Sequence, residues 1–175
     1  MCAHRNADPR FGGGLIPDPG FPGDTGDADP AVSAAIASYS ADPARYVDAL
    51  AALQGSRLLV PVVALLGEIE YDADGLAHDK SSDLAAVLLQ GPDGRQGLLA
   101  FTGQASLTAW EPDARPVPVS TQTAAQAAVQ DQADALVIDV AGPTMIAIEG
   151  EDLVAVASGW TLARVGERTA WIKPG

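Results

Sequence analysis

Apolar positions are grouped in short blocks separated by turn-forming residues, and their spacing changes along the chain. Val32, Ile36 and Tyr39 recur at helical spacing, and so do Tyr46, Val47, Leu50 and Leu53. Each set follows an Asp-Pro pair, Asp29-Pro30 and Asp42-Pro43, which suits an N-cap and a first helical position. This predicts two short helices, or one helix broken at Pro43, over residues 30–54, with Gly55 as a stop. From Arg57 the pattern becomes a continuous β-branched and apolar run, read as a buried strand to Leu66. Pro61 cannot donate to a ladder and marks an edge or a bulge in that strand.

Residues 84–89 and 98–101 are apolar runs around Gly91-Pro92-Asp93-Gly94, which predicts a β-hairpin. The absence of polar alternation in 84–89 requires at least one covered sheet face. Thr102 is placed to cap a helix over 103–110 that ends before Pro112. Arg115-Pro116-Val117-Pro118-Val119 must be extended, since each proline disfavours helix in the residue before it. Ser120 or Thr121 caps a helix ending near Asp131, and strands follow at 135–140 and 144–148. A helix over about 150–157 carries Glu149, Glu151 and Asp152 near its start, where negative charge suits the dipole. A short hairpin around Gly166 closes the pattern. Tight hairpins with helices between them predict an α+β fold, a mixed, about five-stranded sheet with helices packed on it, in a single domain over 30–175.

Residues 1–29 are rich in Gly, Pro and Asp and are expected to be a disordered tail, because few apolar residues offset their ordering entropy. Their Gly12-Gly13-Gly14 run lacks the Gly-Lys-Ser/Thr of a phosphate loop. The net charge of −13 argues against nucleic-acid and anionic-membrane partners. The longest apolar run, Leu58 to Leu66, is too short to span a bilayer, and no apolar secretory core follows Met1. A cytoplasmic protein is expected. One Cys excludes an internal disulfide, and one Cys with two His gives no ordinary structural zinc site, so no cofactor or metal is expected.

Candidate chemistry is sparse. Glu70, Asp72, Asp74 and Gly75 resemble the start of an EF-hand loop, but Ser81 stands at the twelfth position, where a bidentate Glu is needed. An acidic loop or hairpin tip over 67–79 is the better reading. His78 through Asp83 holds the residue types of a hydrolase triad, but adjacency in sequence is the wrong geometry for one. Lys80, Ser81, Ser82 and Asp83 read as a polar turn into the next strand, with Ser or Asp side chains satisfying backbone groups. Trp110 follows Leu107 at helix-face spacing and reads first as a core anchor. Arg115 beside it is suited to pairing with Asp83 or Asp113, or to holding a carboxylate ligand.

Leu59-Val60-Pro61-Val62-Val63, Asp79-Lys80-Ser81-Ser82-Asp83, Leu99-Ala100-Phe101-Thr102, Ala109-Trp110 and Arg115-Pro116-Val117-Pro118-Val119 together resemble the N-terminal domain of the SseB family. Its members are often labelled enhanced serine sensitivity proteins. The resemblance spans roughly 57–157 and implies a small α+β module of poorly defined biochemistry. The expected function is therefore a non-catalytic binding or adaptor module for a protein or small-molecule partner. Lys80, Ser81, Ser82, Asp83, Trp110 and Arg115 are its candidate binding residues, provided the fold brings them together. The alternative is a small enzyme or metabolite sensor using the 80–83 step and Arg115.

Overall fold

The computed structural model describes residues 21–65, 70–71, 77–78 and 83–175. Helix α1 (Pro30–Ala41) starts where Asp29 accepts a bond from the Ala31 amide at 2.8 Å. Asp42 repeats the device on Ala44 and opens a 3₁₀ turn (Pro43–Arg45) that runs into α2 (Tyr46–Gln54). Strand β1 (Arg57–Leu65) is central. Two-residue strands β2 (Glu70–Tyr71) and β3 (Ala77–His78) pair as a small antiparallel ladder within the acidic stretch. Then come β4 (Asp83–Ala86), β5 (Leu88–Gln90), β6 (Gln96–Ala100), α3 (Gln104–Trp110) and β7 (Arg115–Ser120). Helix α4 (Thr121–Gln130) follows, capped by Ser120, whose hydroxyl accepts from the Thr123 amide. The chain closes with β8 (Ala135–Ile138), β9 (Ile146–Glu149), α5 (Gly150–Ala157), β10 (Thr161–Val165) and β11 (Arg168–Ile172).

The fold is α+β, but the expected five-stranded sheet is divided. A three-stranded antiparallel sheet, β4-β1-β7, lies beside a four-stranded mixed sheet, β5-β6-β8-β9, in which β6 and β8 are parallel. A single bridge, Leu59 to Phe101, with both N–H···O distances 2.8 Å, joins them. Pro61 explains the seam. Leu59 points its backbone groups toward β6, so Pro61, two residues on, presents a missing donor to that same edge. There β1 leaves β6 and takes up β4 at Val62–Ala86. The prolines of β7 act on the opposite side. Pro118 faces Leu59 and Pro116 faces Pro61, both non-hydrogen-bonded positions, so their missing donors lie on the outer edge of β7. That edge is thereby a poor template for another strand.

Alternation sorts the core into two faces. Leu58, Val60, Leu98, Ala100, Leu136, Ile138, Ile146 and Ile148 face the large helical layer of α1, α2, α4 and α5. Leu59, Leu99 and Phe101 face the other way, onto Leu107 of α3. Both faces of 98–101 are covered, which is why this strand shows no polar alternation. The similar run at 84–89 has a different outcome. Leu88 and Leu89 are 38% and 42% exposed, because β5 is the edge of its sheet. Within the stretch expected as a tail, Asp24 to Ala28 make contacts with the domain as described below. Residues 1–20 lie outside the described residues.

Candidate functional site

The described part of the expected binding set is not one surface. Lys80, Ser81 and Ser82 lie outside the described residues. Asp83 begins β4 opposite Leu65, and Arg115 begins β7 opposite Val62, so the two flank the same end of β1. Trp110 belongs to the other face, where its ring packs on Phe101 with centroids 5.5 Å apart. It is the core anchor that helix spacing suggested. Arg115 shares a row with Val62, on the face of Val60 and Val117, so no Trp110–Arg115 corner forms.

A different site is built at the carboxyl ends of the parallel strands β6 and β8. Asp139 follows β8 with φ +57, in the left-handed region that Asp tolerates better than most residues. Its amide continues the ladder to Ala100, and its carbonyl accepts from the Gly142 amide, turning the chain at 139–142. The carboxylate is buried, 7% exposed, and three donors meet it. The Thr102 amide stands at 2.9 Å from one oxygen and the Thr102 hydroxyl at 2.7 Å from the other. The Ser106 hydroxyl is 2.6 Å from the first. Such charge-assisted bonds are roughly twice as strong as neutral ones. They also correct the expected cap of α3. Gly103 is the N-cap residue and offers no side chain, while the Thr102 hydroxyl is committed to Asp139.

Arg57 fastens the residues before α1 to this corner. Its Nε lies 2.7 Å from Asp24 Oδ2 and one Nη 2.8 Å from Oδ1, a bidentate fork. The same guanidinium donates to the carbonyls of Asp27 and Thr102. Both side chains are mostly buried, at 13% and 15% exposure. The strap so held lies close to the corner. The Gln104 amide donates to the Gly26 carbonyl at 2.7 Å. A Cβ on Gly103 would stand 2.7 Å from the Ala28 nitrogen, so glycine is needed there.

Strap, α1, α3 and the 139–144 turn together surround a cleft of about 380 Å³. Its walls are small and largely apolar: Ala28, Ile36, Ala37, Ala105, Ala109 and Pro143. Asp27, Ser33 and Thr144 add polar groups, and no Lys, Arg, His or Cys lines it. Among the described residues, no buried side-chain nitrogen or oxygen lacks a partner, and no cluster of His, Cys, Asp or Glu is arranged to hold a metal ion. No helix among them is long and apolar enough to cross a membrane. The sequence places Asp139 inside the strand expected at 135–140 and so hides it, whereas β8 ends at Ile138 and Asp139 begins the turn. The one signal was an Asp directly after a run of apolar strand residues.

An α+β domain with a small-residue cleft at its parallel strand ends is the class these features define. The family model for the SseB protein N-terminal domain matches residues 32–155, more than half of the chain, and the chain belongs to that family. No curated protein and no solved structure matches it.

Proposed function

We propose that this SseB-family domain is a binding module of the cytoplasm, and that its seat is the cleft at Asp139. The observation that carries the reading is the state of the Asp139 carboxylate. Three donors from its own chain converge on it, so it serves to frame the cleft and is poorly placed to take a proton from a substrate. What the cleft then offers is volume and apolar wall. Its size falls within the few hundred Å³ typical of ligand pockets. The occupant suited to it is a small apolar group, either of a metabolite or of a side chain presented by a partner protein. A cationic or neutral flank would meet Asp27 favourably, and an anionic ligand has no cation in the lining to receive it.

Indole serves as the probe, followed by amide shifts in a ¹H–¹⁵N titration. The amides of Gly26, Ala28, Gly103, Ala105 and Gly142 are expected to move together and to saturate. Ala105→Trp, which fills the cleft from an exposed helix position, should abolish that response while leaving the remaining spectrum folded. Shifts centred elsewhere, or a response unchanged by Ala105→Trp, would remove the cleft as the seat.

A further inference from the structure

The lining of the cleft selects a ligand more narrowly than its volume does. Asp139 and Asp27 both line it, and their carboxylates are in different states. Asp139 is satisfied by three donors of its own chain. Asp27 accepts from the Thr25 hydroxyl through Oδ2 at 2.8 Å, and an ionised carboxylate offers about four acceptor sites. Its backbone is held, because Arg57 donates to the Asp27 carbonyl at 2.8 Å. That cation leaves the Asp27 charge standing, since the guanidinium is already forked onto Asp24. Asp27 is thus a positioned carboxylate with open acceptor sites beside an apolar cleft.

Two hydroxyls share the lining. Ser33 lies three and four residues before Ile36 and Ala37, so one stripe of α1 brings a hydroxyl and two apolar side chains to the cleft. Thr144 adds the second hydroxyl from the end of the turn that Asp139 begins.

These acceptors discriminate between cations. A primary ammonium carries three donors on a compact charge, which suits one carboxylate with hydroxyls around the same cleft. A guanidinium binds best as a fork on both oxygens of a carboxylate, and here Thr25 holds one of them. A quaternary ammonium is recognised by aromatic faces, and among the described residues no aromatic side chain lines the cleft. A metal ion needs several ligands, and no such cluster occurs among the described residues. An anion meets no cation in the lining and approaches a chain of net charge −13.

We propose, on the reading that the cleft is the seat of binding, that its ligands carry a primary ammonium on a short apolar stem and that Asp27 sets this preference. The stem lies against Ile36, Ala37 and Ala105, and the ammonium faces Asp27.

The test uses the full chain and probes that share one ring: indole, tryptamine, which adds an ethylammonium, and indole-3-propionate, which adds a carboxylate. Dissociation constants are read from the amide shifts of Gly26, Ala28, Gly103, Ala105 and Gly142. Tryptamine is expected to bind about three- to fivefold more tightly than indole, the scale of one exposed ion pair, and indole-3-propionate more weakly than either. In Asp27→Asn the advantage of tryptamine over indole should vanish. Asp131→Asn removes the same charge at the exposed end of α4 and should preserve that advantage. Trimethylating the tryptamine nitrogen keeps its charge, removes its donors and should lessen the advantage. The ammonium has two sources, a free amine or a lysine side chain, and whichever of tryptamine and Nα-acetyl-lysine methylamide binds more tightly names the source. Cleft amides unmoved by every probe would remove the cleft reading itself. Indole that saturates while tryptamine gains nothing overturns the ammonium preference alone. The preference is overturned equally by an advantage that survives Asp27→Asn, that is lost in Asp131→Asn, or that trimethylation leaves intact.

Discussion

The corner at Asp139 and the C-terminal hairpin use polar groups in opposite ways. At the corner, polar groups from distant parts of the chain converge inward: Arg57, Asp24, Thr102, Ser106 and Asp139 bond one another, and an apolar cleft remains between them. At the hairpin, polar groups fasten the inner face to α2 and α5, and an apolar face with one arginine is turned to solvent. The difference teaches where each region is vulnerable. The corner is sensitive to loss of a polar partner, because a buried group left alone keeps its desolvation penalty. The outer hairpin face tolerates substitution, since little of the fold rests on it.

The largest effect is expected at Arg57. Arg57→Ala removes at once the fork to Asp24, an exposed strap residue whose side chain is 15% exposed, and the bonds to the Asp27 and Thr102 carbonyls, and should cost about 3 kcal/mol in urea denaturation. Truncation sharpens the point. Removing residues 1–20 should leave the thermal midpoint unchanged, whereas removing 1–28 should lower it. The longer truncation and Arg57→Ala should be strongly non-additive, since they break the same contacts. On the hairpin's inner face, Trp171→Phe loses one hydrogen bond to Asp152 and should cost about 1 kcal/mol by the same assay.

A pH-dependent effect is expected beside it. Tyr46 donates to Asp152 at 3.1 Å, and burial, followed by the Asp152 charge, pushes its hydroxyl well above the ordinary range. A raised folded value means that this contribution is fully present below the unfolded value of about 10 and is lost as pH rises beyond it. Stability should therefore fall in alkali, and Tyr46→Phe should flatten that fall in chemical denaturation followed between pH ~9 and ~11. The smallest effect belongs to the outer face, where Val165→Glu should change stability by less than about 0.5 kcal/mol.

Local chemistry in the sequence predicted local structure well. The Asp29-Pro30 and Asp42-Pro43 pairs cap where expected, Ser120 opens α4, and the Arg115–Val119 prolines lie in an extended strand. Long-range pairing was not legible. The split into two sheets depends on one bridge between Leu59 and Phe101 and on which edge Pro61 faces, and neither is a local property. Residues 21–29 have the composition of a tail, yet one arginine some thirty positions away orders Asp24 to Asp27. Leu88 and Leu89 read as buried because apolar runs usually are, and edge placement leaves them exposed. The candidate site was missed for the same reason. Thr102, Ser106 and Asp139 are unremarkable apart and become a site only where β6 and β8 end side by side.

The central claim is that Asp139 frames the cleft through its carboxylate. Urea denaturation of Asp139→Ala tests it most directly. Loss of the carboxylate strands the Thr102 amide and hydroxyl, while the Ser106 hydroxyl keeps the Gly103 carbonyl as an acceptor at 3.0 Å, so a loss of about 2–3 kcal/mol is expected. A midpoint within experimental error of the wild type would show that the corner stands without its carboxylate, and would contradict the account.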